Sequence, residues 1–200
     1  MGAEIEQKPP WRRSFAAWCD SRVIAMFFLG FSAGIPLLLI FSTLSVWLSE
    51  AGTGRSAVTF FSWAALGYSF KFIWAPLVDL MPLPFLTRRL GRRRGWLLLA
   101  QMLIMTAISS MALVDPAAHP GSLTTMACAA VLLGFSAATQ DIVIDAYRIE
   151  SVAPSMQAML ASMYIAGYRI GMLVAGAGAL LLASHLDTNP NGYDYPAWRL

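Results

Sequence analysis

Five apolar stretches, each close to the length a helix needs to cross a bilayer, recur along this chain at residues 23–48, 57–78, 95–114, 123–144 and 159–183. A helix rises about 1.5 Å per residue, so roughly 20 residues cover a hydrocarbon core of about 30 Å. Backbone amides find no water in lipid, which leaves continuous helices or closed barrels as the only spanning structures. Barrel strands read as alternating segments of about 10 residues, and these unbroken runs do not. Charged residues make up 12% of the sequence against 58% apolar ones, too few to coat a water-soluble globule of 200 residues. The sequence therefore predicts an all-α membrane protein with about five transmembrane helices and excludes an ordinary soluble enzyme.

The first run is too long for the core of a cleaved signal and lacks a small-residue cleavage site, so it stays in the chain. Ahead of it, residues 1–22 place Trp11, Phe15, Trp18 and Arg22 at helical spacing, an amphipathic segment suited to the headgroup layer. Basic residues fix the threading. Lys8, Arg12, Arg13, Arg22, Arg88, Arg89, Arg92, Arg93, Arg94 and Arg148 fall on one side and Arg55 and Arg199 on the other, so the N-terminus is expected in the cytoplasm. Topology accounts for these cations, and no nucleic-acid partner is expected. Cys19 and Cys128 lie in a reducing loop and inside a span, and His119 and His185 stand in separate outward loops. No disulfide, metal or cofactor is expected.

Two internal patterns point towards transport. Leu29-Gly30-Phe31-Ser32-Ala33 in the first span is echoed by Leu133-Gly134-Phe135-Ser136-Ala137 in the fourth. Equivalence of these spans makes the repeat three helices long, and an odd repeat inserts the second time upside down. Chance similarity between small-residue segments is the competing explanation. The second pattern is ionisable side chains inside spans, where each costs roughly 2.5 to 3.5 kcal/mol on insertion scales. Lys71, Asp141 and Arg169 are the clearest cases, and Gln140, Asp141, Asp145 and Arg148 form a polar stripe along the end of the fourth span. Pairing among themselves is one reading of these groups. The other is cargo and proton handling, in which Arg169 and Lys71 recognise carboxylates and Asp141 and Asp145 exchange protons. Tyr164 and Tyr168 beside Arg169 suit a sugar face or simple core packing. Gly167, Gly171, Ala175 and Ala179 give the fifth span a smooth stripe for close helix contact, and Pro36, preceded by Gly30 and Gly34, marks an expected kink in the first. Between the second and third spans, Asp79 faces the knot Gly91-Arg92-Arg93-Arg94, a carboxylate and cations able to lock one conformation by charge pairing.

Lys71-Phe72-Ile73-Trp74-Ala75-Pro76-Leu77-Val78-Asp79 through Leu90-Gly91-Arg92-Arg93-Arg94-Gly95-Trp96 resembles a stretched form of the acid-and-basic loop signature of the major facilitator superfamily. With Gln140-Asp141-Ile142-Val143-Ile144-Asp145-Ala146-Tyr147-Arg148 and Gly167-Tyr168-Arg169-Ile170-Gly171-Met172-Leu173, the chain is similar to the AmpG-type muropeptide permeases from Phe31 to Ala183. The resemblance implies proton-coupled import of anhydro-muropeptides across a bacterial inner membrane. It implies a functional set of Gln140, Asp141, Asp145, Tyr168 and Arg169, with Lys71 and Tyr164 beside them, and a latch of Asp79, Gly91, Arg92, Arg93, Arg94 and Arg148. Family members have at least twelve spans, whereas residues 184–200 only lead into where a sixth would start. The chain is thus expected to be an N-terminal fragment of a permease, covering its N-terminal half one helix short, and a separate chain that supplies the rest is one alternative. A truncated, inactive gene product is another. Other cargo, as in acetyl-coenzyme A transporters, is a further alternative. A membrane enzyme acting on cell-wall precursors is a weaker one, with only the Asp141, Asp145 and Arg148 stripe to serve it.

Overall fold

The computed structural model describes Trp18 and residues 20–53, 63–188 and 192–199, all in helices, turns and short connections. The amphipathic segment before Trp18, Cys19, Arg55 and the start of the second span lie outside the described residues. Helix α1 runs Ser21–Glu50. The second span appears as α2, Ala64–Ser69, and α3, Lys71–Leu80, separated at Phe70. A short α4, Leu86–Leu90, precedes α5, Arg92–Ala112. Helix α6 is Pro120–Ser151, α7 is Pro154–Leu186 and α8 is Tyr195–Trp198. Among the described residues α1, α5, α6 and α7 are each long and apolar enough to cross a membrane. The fourth span is longer than its apolar run, because α6 continues through Arg148 to Ser151. Its last turns are polar, but a helix end needs no apolar side chains once it reaches headgroups and water.

Glycine determines how closely these helices approach. A Cβ on Gly30 would lie 2.2 Å from the Tyr164 carbonyl oxygen, and one on Gly34 2.2 Å from that of Tyr168. In return, Gly167 abuts the Phe27 carbonyl and Gly171 that of Phe31. Two glycines four residues apart on each helix thus let α1 and α7 meet backbone to backbone, the packing by which apolar helices associate in lipid. This assigns Gly30 and Gly34 a role other than marking a kink. Helix α1 is not broken at Pro36 either. The proline cannot donate a backbone hydrogen bond, and the helix widens to a π-turn at Leu39–Thr43 just beyond it. A second π-turn, Val174–Gly178, faces it on α7, and the Thr43 hydroxyl donates to the Ala175 carbonyl oxygen at 2.7 Å.

The echoed motifs occupy matching places. Gly171 of α7 packs on Phe31 of α1, and Gly67 of α2 packs on Gly134 and Phe135 of α6. The interval in sequence from Phe31 to Phe135 is also the interval from Gly67 to Gly171. The first span's contact with the fifth is therefore repeated as the fourth span's contact with the second, which is the exchange a three-helix inverted repeat produces. Helix α6 also packs on α5, and it lies at the centre of the bundle. At the end opposite Arg93, Trp47 stacks on Tyr195 and Trp198, while its indole N–H donates to the Tyr193 hydroxyl.

Candidate functional site

Two polar groupings flank the C-terminal half of α6. The first is built around Asp141. Gln140 and Asp141 are consecutive on α6 and so about 100° apart around it, which turns their side chains towards different helices. Gln140 is fully buried and its Nε2 donates to Ser32 Oγ of α1 at 3.2 Å, while its Oε1 has no partner. Asp141 turns towards α7, where the Tyr164 hydroxyl donates to its Oδ1 at 3.2 Å. Lys71, at the start of α3, and Asp145, one turn along α6, both act on the Asp141 charge through space. Tyr164 and Tyr168 stand together with ring centroids 5.9 Å apart, and Tyr168 also senses the charges of Asp141 and Arg169. Arg169 itself lies on the exposed side of α7. The structure thus gathers Lys71, Gln140, Asp141, Asp145, Tyr164 and Tyr168 around one stretch of α6, with Arg169 at the margin.

Sequence reasoning missed two members of this group. Ser32 is hidden inside the echoed motif, where its role looked like small-residue packing. Tyr68 lies three residues before Lys71 and therefore on the same helical face. It packs against the core of Ile40, Leu133 and Ala137, and its hydroxyl is buried without a partner within electrostatic reach of Asp141 and Tyr168. That helical spacing was the available signal.

The second grouping ties three helix ends together. Arg93 of α5 donates through Nη1 to Asp79 Oδ1 at 2.5 Å and through Nη2 to Glu150 Oε1 at 2.5 Å. Its Nε donates to Glu150 Oε2 at 3.2 Å, completing a fork on that carboxylate. One guanidinium therefore joins the end of α3, the start of α5 and the end of α6. Of the three arginines in the basic knot, Arg93 is the one in these ion pairs. Arg92 contributes to Glu150 through space, and Arg94 borders an apolar hollow of about 380 Å³ with Phe28, Leu29 and Leu97. Gly91 adopts φ +81°, a conformation open to glycine at little cost, which lets the chain turn from α4 into α5. Arg148 pairs with Asp145 at 3.2 Å along its own helix and joins the stripe rather than the Arg93 cluster. Glu150 escaped the sequence reading because it lies beyond the apolar run and α6 was expected to end before it.

A helical bundle with glycine-packed spans, a repeated pair contact and ionisable groups gathered inside it is an all-α membrane fold with the inverted-repeat packing of the major facilitator type. Comparison with known proteins narrows the class: the chain belongs to the family described as acetyl-coenzyme A transporter 1, whose profile matches residues 22–189. It is 42% identical over 170 residues to the putative transporter AmpG 4 of Rickettsia felis, an overlap that covers 85% of this chain and 40% of that protein. It is also 40% identical over 162 residues to the anhydromuropeptide permease of Escherichia coli K12, covering 81% of this chain and 32% of the permease. The chain thus spans between about a third and two fifths of the length of these relatives.

Proposed function

We propose that this chain forms part of a proton-coupled secondary transporter that carries anhydro-muropeptides from periplasm to cytoplasm across a bacterial inner membrane, with its N-terminus in the cytoplasm. The relatives' names support the cargo class, and the observation that carries the mechanism is Asp141 itself. A carboxylate held by Tyr164, faced by Lys71 and set in an apolar bundle is expensive to keep there, and a proton-exchanging group is the use that fits its chemistry. In this reading Asp141 and Asp145 take up and release the proton. Lys71, Gln140, Tyr164, Tyr168 and Arg169 contact the cargo, whose carboxylates suit the cations and whose sugars suit the aromatic rings. Asp79, Gly91, Arg92, Arg93, Arg94 and Glu150 form a latch that holds one conformation at the inner face, while Arg148 stays paired with Asp145 outside it. A C-terminal transporter half completes the cargo path, and the exposed side of α7 bearing Arg169 is the face it would meet.

Uptake by the full-length protein in inside-acidic and outside-acidic vesicles tests this directly, with labelled anhydro-muropeptide and labelled acetyl-coenzyme A offered separately. Muropeptide accumulation driven by an outside-acidic gradient is expected, and Asp141→Asn is expected to lower it at least about tenfold, the effect of removing an acid that must change charge in each cycle. Unchanged uptake in Asp141→Asn would remove the proton role. Accumulation of acetyl-coenzyme A alone would replace the cargo.

A further inference from the structure

We propose that Tyr68 is the second hydrogen-bond partner of Asp141, and that the carboxylate passes between Tyr164 of α7 and Tyr68 of α2 as the bundle changes conformation. The inference rests on the transporter reading above and adds a positioning residue to it. Three observations meet at this point. Asp141 is held from one side, by the Tyr164 hydroxyl at 3.2 Å, and its bonded oxygen is Oδ1. The Tyr68 side chain packs against the core cluster that includes Ala137, one turn before Asp141 on α6, and its hydroxyl is buried, without a partner and within electrostatic reach of the same carboxylate. A buried hydroxyl left unpaired is a cost that proteins rarely carry without a use.

The third observation is mechanical. Tyr68 follows Gly67, whose missing Cβ lets α2 rest on the Gly134 backbone, and precedes the interruption at Phe70. The helix carrying Tyr68 thus packs closely along α6, and Phe70, whose N–H donates to the Leu66 carbonyl and whose carbonyl accepts from Ile73, joins it to α3. A rotation of the second span about this contact moves the Tyr68 hydroxyl relative to Asp141 and shifts the far end of α3 with it. Around Asp141 the charged and titratable groups are Lys71 and Tyr68 from the second span, Asp145 from α6 itself, and Tyr164 and Tyr168 from α7, with Arg169 beyond them. Helix α1 presents Ser32 and no charge to this stretch. Among these, Tyr68 is the neutral donor whose hydroxyl is both buried and unpaired.

The test uses spin labels on the full-length protein in nanodiscs, one on exposed Leu80 at the end of α3 and one on exposed Ser155 at the start of α7. Their separation reads how the second span sits relative to the fifth, with no cargo present. Tyr164→Phe is expected to raise the population of a second distance about fivefold, the consequence of losing one hydrogen bond from the arrangement described here. Tyr68→Phe is expected to lower that second population by a similar factor while leaving the melting temperature unchanged or higher. Identical distance distributions in both variants and the unsubstituted protein would overturn the exchange. A lower melting temperature for Tyr68→Phe would also overturn it, since the hydroxyl would then be bonded in the resting arrangement. Neither outcome depends on which cargo is carried, and a failed uptake assay leaves this measurement readable.

Discussion

Gly167→Ala is expected to destabilise the bundle strongly. The added Cβ would stand 2.0 Å from the Phe27 carbonyl oxygen and 2.9 Å from the Phe31 backbone nitrogen, neither of which can swing aside. Relief requires α1 and α7 to separate by more than an ångström, and the contact between them is the most extensive in the bundle. Gly30, Gly34 and Gly171 would lose their close approach at the same time. Overpacking a well-filled core costs about 1–3 kcal/mol, and a clash against backbone belongs at or above the upper end. For a chain of this size, about 3 kcal/mol lowers the melting temperature by on the order of 10 °C. Gly121→Ala is the matched control. Nothing lies within 4 Å of its added carbon, and alanine favours the helix, so it is expected to be neutral or slightly stabilising. Thermal unfolding of the three proteins in one detergent separates a specific glycine contact from general helix propensity. Equal melting temperatures for Gly167→Ala and the unsubstituted protein would disprove the packing described here.

The second large effect is expected from Arg93. Its guanidinium is about one-sixth exposed, while the Asp79 and Glu150 side chains it holds are about half exposed. Solvent screens the outer ends of both pairs, so the energy resides mainly in the fork geometry and amounts to about 1–2 kcal/mol. That is little against the stability of the whole bundle but large against the equilibrium between two transporter conformations, where 1.4 kcal/mol is a factor of ten. Arg93→Gln removes the cation and leaves two carboxylates converging on an uncharged side chain. Uptake is expected to fall about tenfold with the melting temperature nearly unchanged, and Arg93→Lys to recover only part, because lysine cannot form the fork. Arg92→Gln, at a residue outside these pairs, is expected to have a much smaller effect. If Arg92→Gln and Arg93→Gln reduce uptake equally, general positive charge rather than the three-helix junction is at work.

How much of this was legible in the sequence depended on the kind of signal. Four of the five spans were plain because each apolar run matches the bilayer, and the Asp79–Arg93 pair was plain because the two lie close in sequence. Glu150 was not, since its partnership with Arg93 exists only once α6 extends beyond its apolar run and returns to the start of α5. The role of Gly30 and Gly34 was misread for a related reason. A glycine beside a proline suggests bending, and only the position of α7 reveals that these two make room for another backbone. The chain interval common to the Phe31–Phe135 and Gly67–Gly171 pairs was present in the sequence, but Gly67 had no motif around it to draw the comparison. Arg169 was expected among the interior charges, and its exposed position on α7 follows from its being one residue, about 100° of helix, beyond Tyr168.

The central claim is that the polar group around Asp141 lies on the path of a transported molecule. The most direct measurement places a single cysteine at Tyr164 in a cysteine-free background of the full-length protein and follows its modification by a membrane-impermeant thiol reagent, with and without anhydro-muropeptide. Modification that slows several-fold when the muropeptide is present is the result predicted here. A cysteine that never reacts from either side, or reacts at the same rate with and without cargo while uptake proceeds, would contradict it.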